Sequence, residues 1–165
     1  RGEATVAQEH FATQFIRARL DTLSRQFPAP RTAPTVLLTC LPGERHEVAL
    51  LMLAVLVRHR GLRPVYLGAD VPLDTIVRTA LDLPAAVIAV HALAPEAGAL
   101  VRDLATQLTS LSPASVVYGG PAFDPPAPAQ DLGPAVYGGT SLNGAVETID
   151  RLARQFTPVT SGGTA

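Results

Sequence analysis

Apolar positions follow two regimes along the chain. Over residues 4–27 they recur at helical spacing. Steps of about 100° per residue put Glu9, Ile16, Leu20, Leu23 and Phe27 on one stripe and Phe11, Phe15 and Ala18 on a second. One helix is predicted there. A helix that is apolar on two sides needs two partners, so residues 1–27 are expected to be the last helix of a bundle whose other members lie outside these 165 residues. Glu9 falls inside an apolar stripe, where a carboxylate needs a hydrogen-bond partner or a ligand group.

Residues 28–34 carry three prolines in seven positions and read as a stiff linker. Beyond it, short runs of Val, Leu, Ile and Ala alternate with amphipathic segments. Strands are predicted over 35–40, 64–68, 85–92, 114–120 and 134–138, and helices over 46–60, 71–83, 95–111 and 141–156. Asp70 with Pro72 in the first turn marks one helix start, and Thr140 or Ser141 marks another. The segment 121–133, with four prolines, is expected to hold at most a short turn of helix. The Ser-, Thr- and Gly-rich tail 158–165 is expected to be disordered. Strands without polar alternation, separated by helices, call for a parallel sheet covered on both faces. Residues 35–157 are therefore expected to form a five-stranded, doubly wound α/β domain, Rossmann-like with the flavodoxin-like strand order 2-1-3-4-5.

Composition narrows the function classes. With 47% hydrophobic and 16% charged residues the chain is globular. A net charge of −1 gives no basic field for nucleic acid, so DNA contact is expected only through a domain absent from this sequence. All 13 basic residues are Arg, which reads as coding bias in a GC-rich genome. The longest apolar run, Val48 to Val57, is ten residues and too short to span a bilayer. The single cysteine, Cys40, excludes an internal disulfide, and with no secretory segment before the first element a cytoplasmic location is expected.

Ligands of doubly wound sheets bind outside the carboxyl ends of the strands, where the strand order reverses. Three features fall there. Gly43-Glu44-Arg45-His46 follows strand 1, His91 ends strand 3, and Gly119-Gly120 end strand 4. Imidazole is the commonest protein ligand for transition metals, and a carboxylate two residues away can hold its second nitrogen. Taken singly, each feature has a plain structural reading: a charge cluster, a core histidine, a turn. The same holds for Glu9-His10 and for Tyr137-Gly138-Gly139-Thr140. In the order 2-1-3-4-5 the three strands are neighbours, and the features meet on one rim. No G-x-G-x-x-G or P-loop pattern follows strand 1, and His91 stands where a phosphoacceptor domain would need Asp. No oriented base marks Cys40 as a nucleophile, so it reads as a small buried strand residue.

These residues resemble cobalamin-binding domains, whose pattern is D-x-H-x-x-G after strand 1, S-x-L after strand 3 and G-G after strand 4. The counterparts are Glu44-x-His46-x-x-Ala49, His91-x-Leu93 and Gly119-Gly120. Within that family the likeness is to the CarH type, light-dependent transcription regulators with a MerR-like DNA-binding domain. Residues 1–10 resemble the end of their four-helix bundle, residues 42–47 their ligand loop, and Tyr66-Leu67-Gly68-Ala69-Asp70 with Pro72-Leu73 is also similar. The likeness covers residues 1–154.

The resemblance implies that His46 is the lower axial ligand of cobalt and that Glu44 hydrogen-bonds its imidazole, with Arg45 beside it in the loop. It implies that the displaced nucleotide tail passes His91, Leu93, Gly119 and Gly120 towards Gly139 and Thr140. It implies that Glu9 and His10 reach the upper face. Ala49 replaces the family glycine where the backbone approaches the corrin, and His91 replaces a serine that bonds the displaced base. The expected function is a sensory, non-enzymatic module binding a corrinoid, adenosylcobalamin foremost, with a light-triggered change of homo-oligomer or protein-partner state. The alternatives are a corrinoid methyl carrier of a methyltransferase, a mutase cobalamin domain, or a variant that binds another tetrapyrrole.

Overall fold

The computed structural model of the chain describes residues 5–94, 96–124 and 131–157. The expected disordered tail lies outside these residues, as do the start of the chain before Thr5, Pro95 and the middle of the proline-rich segment, 125–130. Helix α1 (Val6–Arg25) starts at Thr5, whose side chain accepts from the Gln8 N–H while the Gln8 side chain accepts from the Thr5 N–H. This reciprocal cap satisfies two of the free donors of the first turn.

Strands and helices then alternate: β1 (Thr35–Cys40), α2 (Val48–His59), β2 (Arg63–Gly68), α3 (Leu73–Asp82), β3 (Ala85–His91), α4 (Ala97–Thr109), β4 (Ser115–Gly119), β5 (Val136–Tyr137) and α5 (Leu142–Gln155). All pairings are parallel, in the order β2-β1-β3-β4-β5. The predicted fold class and strand order are both present. Every residue of β1 is buried because both sheet faces are covered. Leu37 and Ile88 pack with Ile76 of α3 and Leu104 of α4 on one face. Val36, Leu38 and Val87 pack with Leu53 of α2 and Ile149 of α5 on the other.

Two local expectations are corrected and one is met. Helix α2 begins at Val48, two residues later than predicted, because the loop before it is bent by hydrogen bonds to the Glu44 carboxylate. Asp70 does not start α3. It adopts φ 54° and its Oδ1 accepts from the Gly43 N–H at 2.7 Å, while Pro72 takes the cap position. Ser141 does start α5, its Oγ accepting from the Gly144 N–H at 3.1 Å.

Helix α1 lies on α2 by part of one predicted apolar stripe, through Leu20 and Phe27, while most of both stripes is exposed. Thr13, Arg17, Leu20, Ser24 and Phe27 are half-buried, whereas Glu9 is exposed and Phe11, Phe15, Ile16 and Leu23 are 74%, 55%, 40% and 43% exposed. The contacts that orient it are specific ones. Arg17 pairs with Glu47 at the head of α2, and the Phe27 ring meets the His59 ring edge-on at 4.9 Å at its foot.

Ile88, fully buried in the central strand, tests the packing. Ile88→Ala should lower the unfolding free energy in urea by about 2–5 kcal/mol, the cost of the lost transfer and the residual cavity. A loss below about 1 kcal/mol would contradict the described core.

Candidate functional site

The sheet register sets the site. Cys40 pairs with His91 and His91 with Gly119, so the last residues of β1, β3 and β4 form one row across the carboxyl edge. The loop from Leu41 to Glu47 rises from this row. Its turn is closed by the Glu44 N–H donating to the Leu41 carbonyl at 3.0 Å, with Gly43 at φ 82°. Asp70 fastens it from β2: the Asp70 carboxylate accepts from Gly43 and the Asp70 N–H donates to the Glu44 carbonyl at 2.9 Å.

Glu44 is buried, and both its oxygens are used. Oε1 accepts from the His46 N–H at 2.8 Å and contacts His46 Nδ1 at 2.6 Å. Oε2 accepts from the Leu93 N–H at 2.9 Å, in the loop after β3. Burial pushes the carboxyl pKa up, but the two backbone donors and the imidazole outweigh it and bring it down to about 2. A carboxylate that is ionised and accepts at Nδ1 fixes the neutral imidazole with its proton on Nδ1 and its lone pair on Nε2. The His46 side chain is 72% exposed, so that lone pair is available to a ligand. Among the described residues no group of three or more His, Cys, Asp and Glu could hold a metal ion. His46 can thus offer one axial bond to a metal whose other positions are already filled, and not a protein-built cage.

Beside this loop a slot of about 180 Å³ opens between α2, α5 and the ends of β3 and β4. Its walls are mostly apolar, with Leu50, Leu53, Val117, Leu142 and Ala145 among them, and Gly119, Gly120, Gly139 and Thr140 stand along it. Gly120, at φ 113°, cannot be replaced without displacement: a Cβ there would lie 2.4 Å from the Ala92 carbonyl and 2.9 Å from the His91 ring. His91 lines the slot, and its buried Nδ1 has no hydrogen-bond partner among the described residues. Burial lowers its pKa and so does His46, against the opposing pull of Glu44 and Asp124. Asp124 also lines the slot and accepts from the Tyr137 hydroxyl at 2.5 Å.

The structure brings Glu44, His46, His91, Gly119 and Gly120 onto one rim, with Gly139 and Thr140 further along the slot. Arg45 is exposed in the loop. The Leu93 side chain is 38% exposed and does not line the slot; what it adds is its N–H to Glu44. Glu9 and His10 are exposed on α1 and line neither this slot nor the cleft beneath α1. Sequence reading took Asp70 for a helix start, placed Tyr66 and Glu47 only within segments similar to the family, and gave Asp124 no role. For Asp70, the one signal was its place directly after β2, at the same sheet edge as the loop. Cys40 is fully buried, and burial together with the charges of Glu44 and Glu47 raises its thiol pKa to about 12, which keeps it unreactive.

The B12 binding domain family model matches residues 34–139. The HTH-type transcriptional repressor CarH of Myxococcus xanthus is 37% identical over 112 residues, which are 68% of this chain and 37% of that protein. The HTH-type transcriptional repressor CarA of the same organism is 39% identical over 122 residues, 70% of this chain and 40% of that protein. The chain thus spans well under half the length of these relatives. Among solved structures, the methanol:cobalamin methyltransferase complex MtaBC of Methanosarcina barkeri is similar with a TM-score of 0.65 and 22% identity, over 82% of this chain and 52% of that one. A cobalamin-binding protein of Desulfitobacterium hafniense follows with a TM-score of 0.57 and 19% identity, over 92% of this chain and 72% of that one. At these identities the structures speak for the fold.

The Glu44 contacts predict a pH signature. Because its pKa is depressed from 4.5 to about 2 in the folded state, its stabilisation is complete above about pH 4.5 and is lost as pH falls towards 2. Denaturation of Glu44→Gln against the parent should show a deficit of about 1–3 kcal/mol at neutral pH that shrinks through this window; a deficit independent of pH would contradict the assignment. Gly120→Ala should destabilise by more than about 1 kcal/mol, since it adds both a clash and a strained φ, and thermal melts would show it.

Proposed function

Because the chain belongs to the B12 binding domain family, we propose that it is the non-enzymatic, cobalamin-binding sensory module of a photoreceptor or transcription regulator. The observation that carries this reading is the Glu44-held imidazole of His46, with Nδ1 committed and the ring exposed. His46 would serve as the lower axial ligand and Glu44 would keep its tautomer and direction. The apolar slot with its Gly120 cradle and the unpartnered Nδ1 of His91 suit a displaced nucleotide base. Gly119, Gly139 and Thr140 would line the path of that tail, Arg45 and Leu93 would flank the loop, and Glu9 and His10 would face the upper side. Adenosylcobalamin, held by these residues, would supply a cobalt centre and a light-sensitive cobalt–carbon bond.

Signalling would pass through a change of oligomeric or partner state, with DNA contact made by a domain outside this chain. The relatives at 37% and 39% identity are transcriptional repressors, which supports regulation over catalysis. A methyl-carrier role has only fold similarity in its favour. Among the described residues no helix is long and apolar enough to cross a membrane.

Absorbance spectra of the protein mixed with adenosylcobalamin, taken in the dark and after green light, test the reading. A bound corrinoid whose spectrum changes on illumination is expected; no bound corrinoid, or no change, would sink it. His46→Ala should abolish the spectral bands of histidine ligation, and Glu44→Ala should weaken affinity about 10–100-fold by freeing the ring.

A further inference from the structure

Glu47 sits at the cap position of α2 yet makes no capping bond with its side chain. Its carboxylate is turned away from its own helix. Oε2 accepts from Arg17 of α1 at 2.8 Å and from the Tyr66 hydroxyl of β2. The Glu47 side chain is 12% exposed and that of Arg17 41%, so the pair is partly shielded from water. Burial and the bond to Glu47 both raise the Tyr66 pKa, which keeps the hydroxyl a donor. Among the described residues, Arg17 to Glu47 is the one hydrogen bond joining α1 to the α/β domain. The surrounding contact is loose: a cleft of about 520 Å³ lies between α1, α2 and β2, lined by Arg17, Leu20, Leu51 and Tyr66 among others.

Glu47 also shares a peptide bond with His46. The loop is therefore held by two carboxylates, Glu44 at its middle to the loop after β3 and Glu47 at its end to α1 and β2. We infer that Glu47 is a positioning residue for His46 and that Arg17 acts on the ligand loop through it, so that the seating of α1 and the ligation of His46 are coupled. The inference rests on His46 being the cobalt ligand. Coupling of this kind is reciprocal: a helix that steadies the loop for ligand is steadied by ligand to the same degree. With a cleft beside the pair and the Phe27–His59 contact at the other end of α1, loss of that bond should loosen the segment of α1 around Arg17.

The test uses Arg17→Met, Arg17→Lys and Tyr66→Phe in the full chain, with hydroxocobalamin as the probe. Two quantities are read: amide hydrogen exchange of residues 44–48 without corrinoid, and affinity with the absorbance bands of histidine ligation. Arg17→Met should speed exchange in the loop, lower affinity about fivefold and weaken those bands. Arg17→Lys should recover most of each, because a cation still reaches Glu47. Tyr66→Phe, which leaves α1 untouched, should fall between parent and Arg17→Met. Hydroxocobalamin should also slow exchange over residues 13–20 of the parent and not of Arg17→Met. Loop exchange in Arg17→Met equal to that of the parent would overturn the inference. Failure of the parent itself to bind hydroxocobalamin would instead overturn the proposed function, while loop exchange would still decide the role of Arg17.

Discussion

The site depends on one buried carboxylate. Glu44 joins the loop after β1 to the loop after β3, using one oxygen for His46 and the other for the Leu93 N–H. A charge placed there would be costly without partners. With three hydrogen bonds it is held ionised, and that ionisation gives the neighbouring imidazole a single tautomer. The length of Glu serves this arrangement. One methylene more than Asp lets the same side chain serve its own loop and reach across to the next.

Everything beneath Glu44 is scaffold for it. The parallel order places β1, β3 and β4 side by side, and their register aligns Cys40, His91 and Gly119 in one row. Fully buried residues such as Leu37, Leu38 and Ile88 fix that register from both faces, because a slip would break the packing of two layers of helices at once. Asp70 then ties the loop to β2, at the cost of a backbone conformation that few residues adopt. The result is a histidine held rigidly behind and open in front.

The fold was legible because its strands are short continuous apolar runs between amphipathic helices, a pattern with few solutions. The convergence of His46, His91 and Gly119-Gly120 followed from that topology, and the resemblance to cobalamin-binding domains followed from their spacing. Long-range pairings of polar side chains were not legible. Asp70 read as a helix start because Pro follows it two residues later, and only the folded chain brings it to Gly43. Glu47 read as part of a helix, though its partners stand 30 and 19 residues away in sequence. The seating of α1 was legible only in part: Leu20 and Phe27 of the predicted apolar stripe are half-buried, but the pairing of Arg17 with Glu47 could not be read from a helical wheel. Beside Glu44 in place of Asp, the pattern is departed from at Ala49 and His91, and both of these line the slot. They change its walls and leave the Glu44–His46 pair intact.

The central claim is that the protein supplies a nitrogen to cobalt through His46. Electron paramagnetic resonance of the reduced complex with cob(II)alamin, prepared with histidine labelled with heavy nitrogen, reads this bond directly. Superhyperfine lines split as doublets, in place of the triplets given by the unlabelled protein, are the predicted result. Triplets that persist in the labelled protein would place the cofactor's own base on the metal and contradict the account.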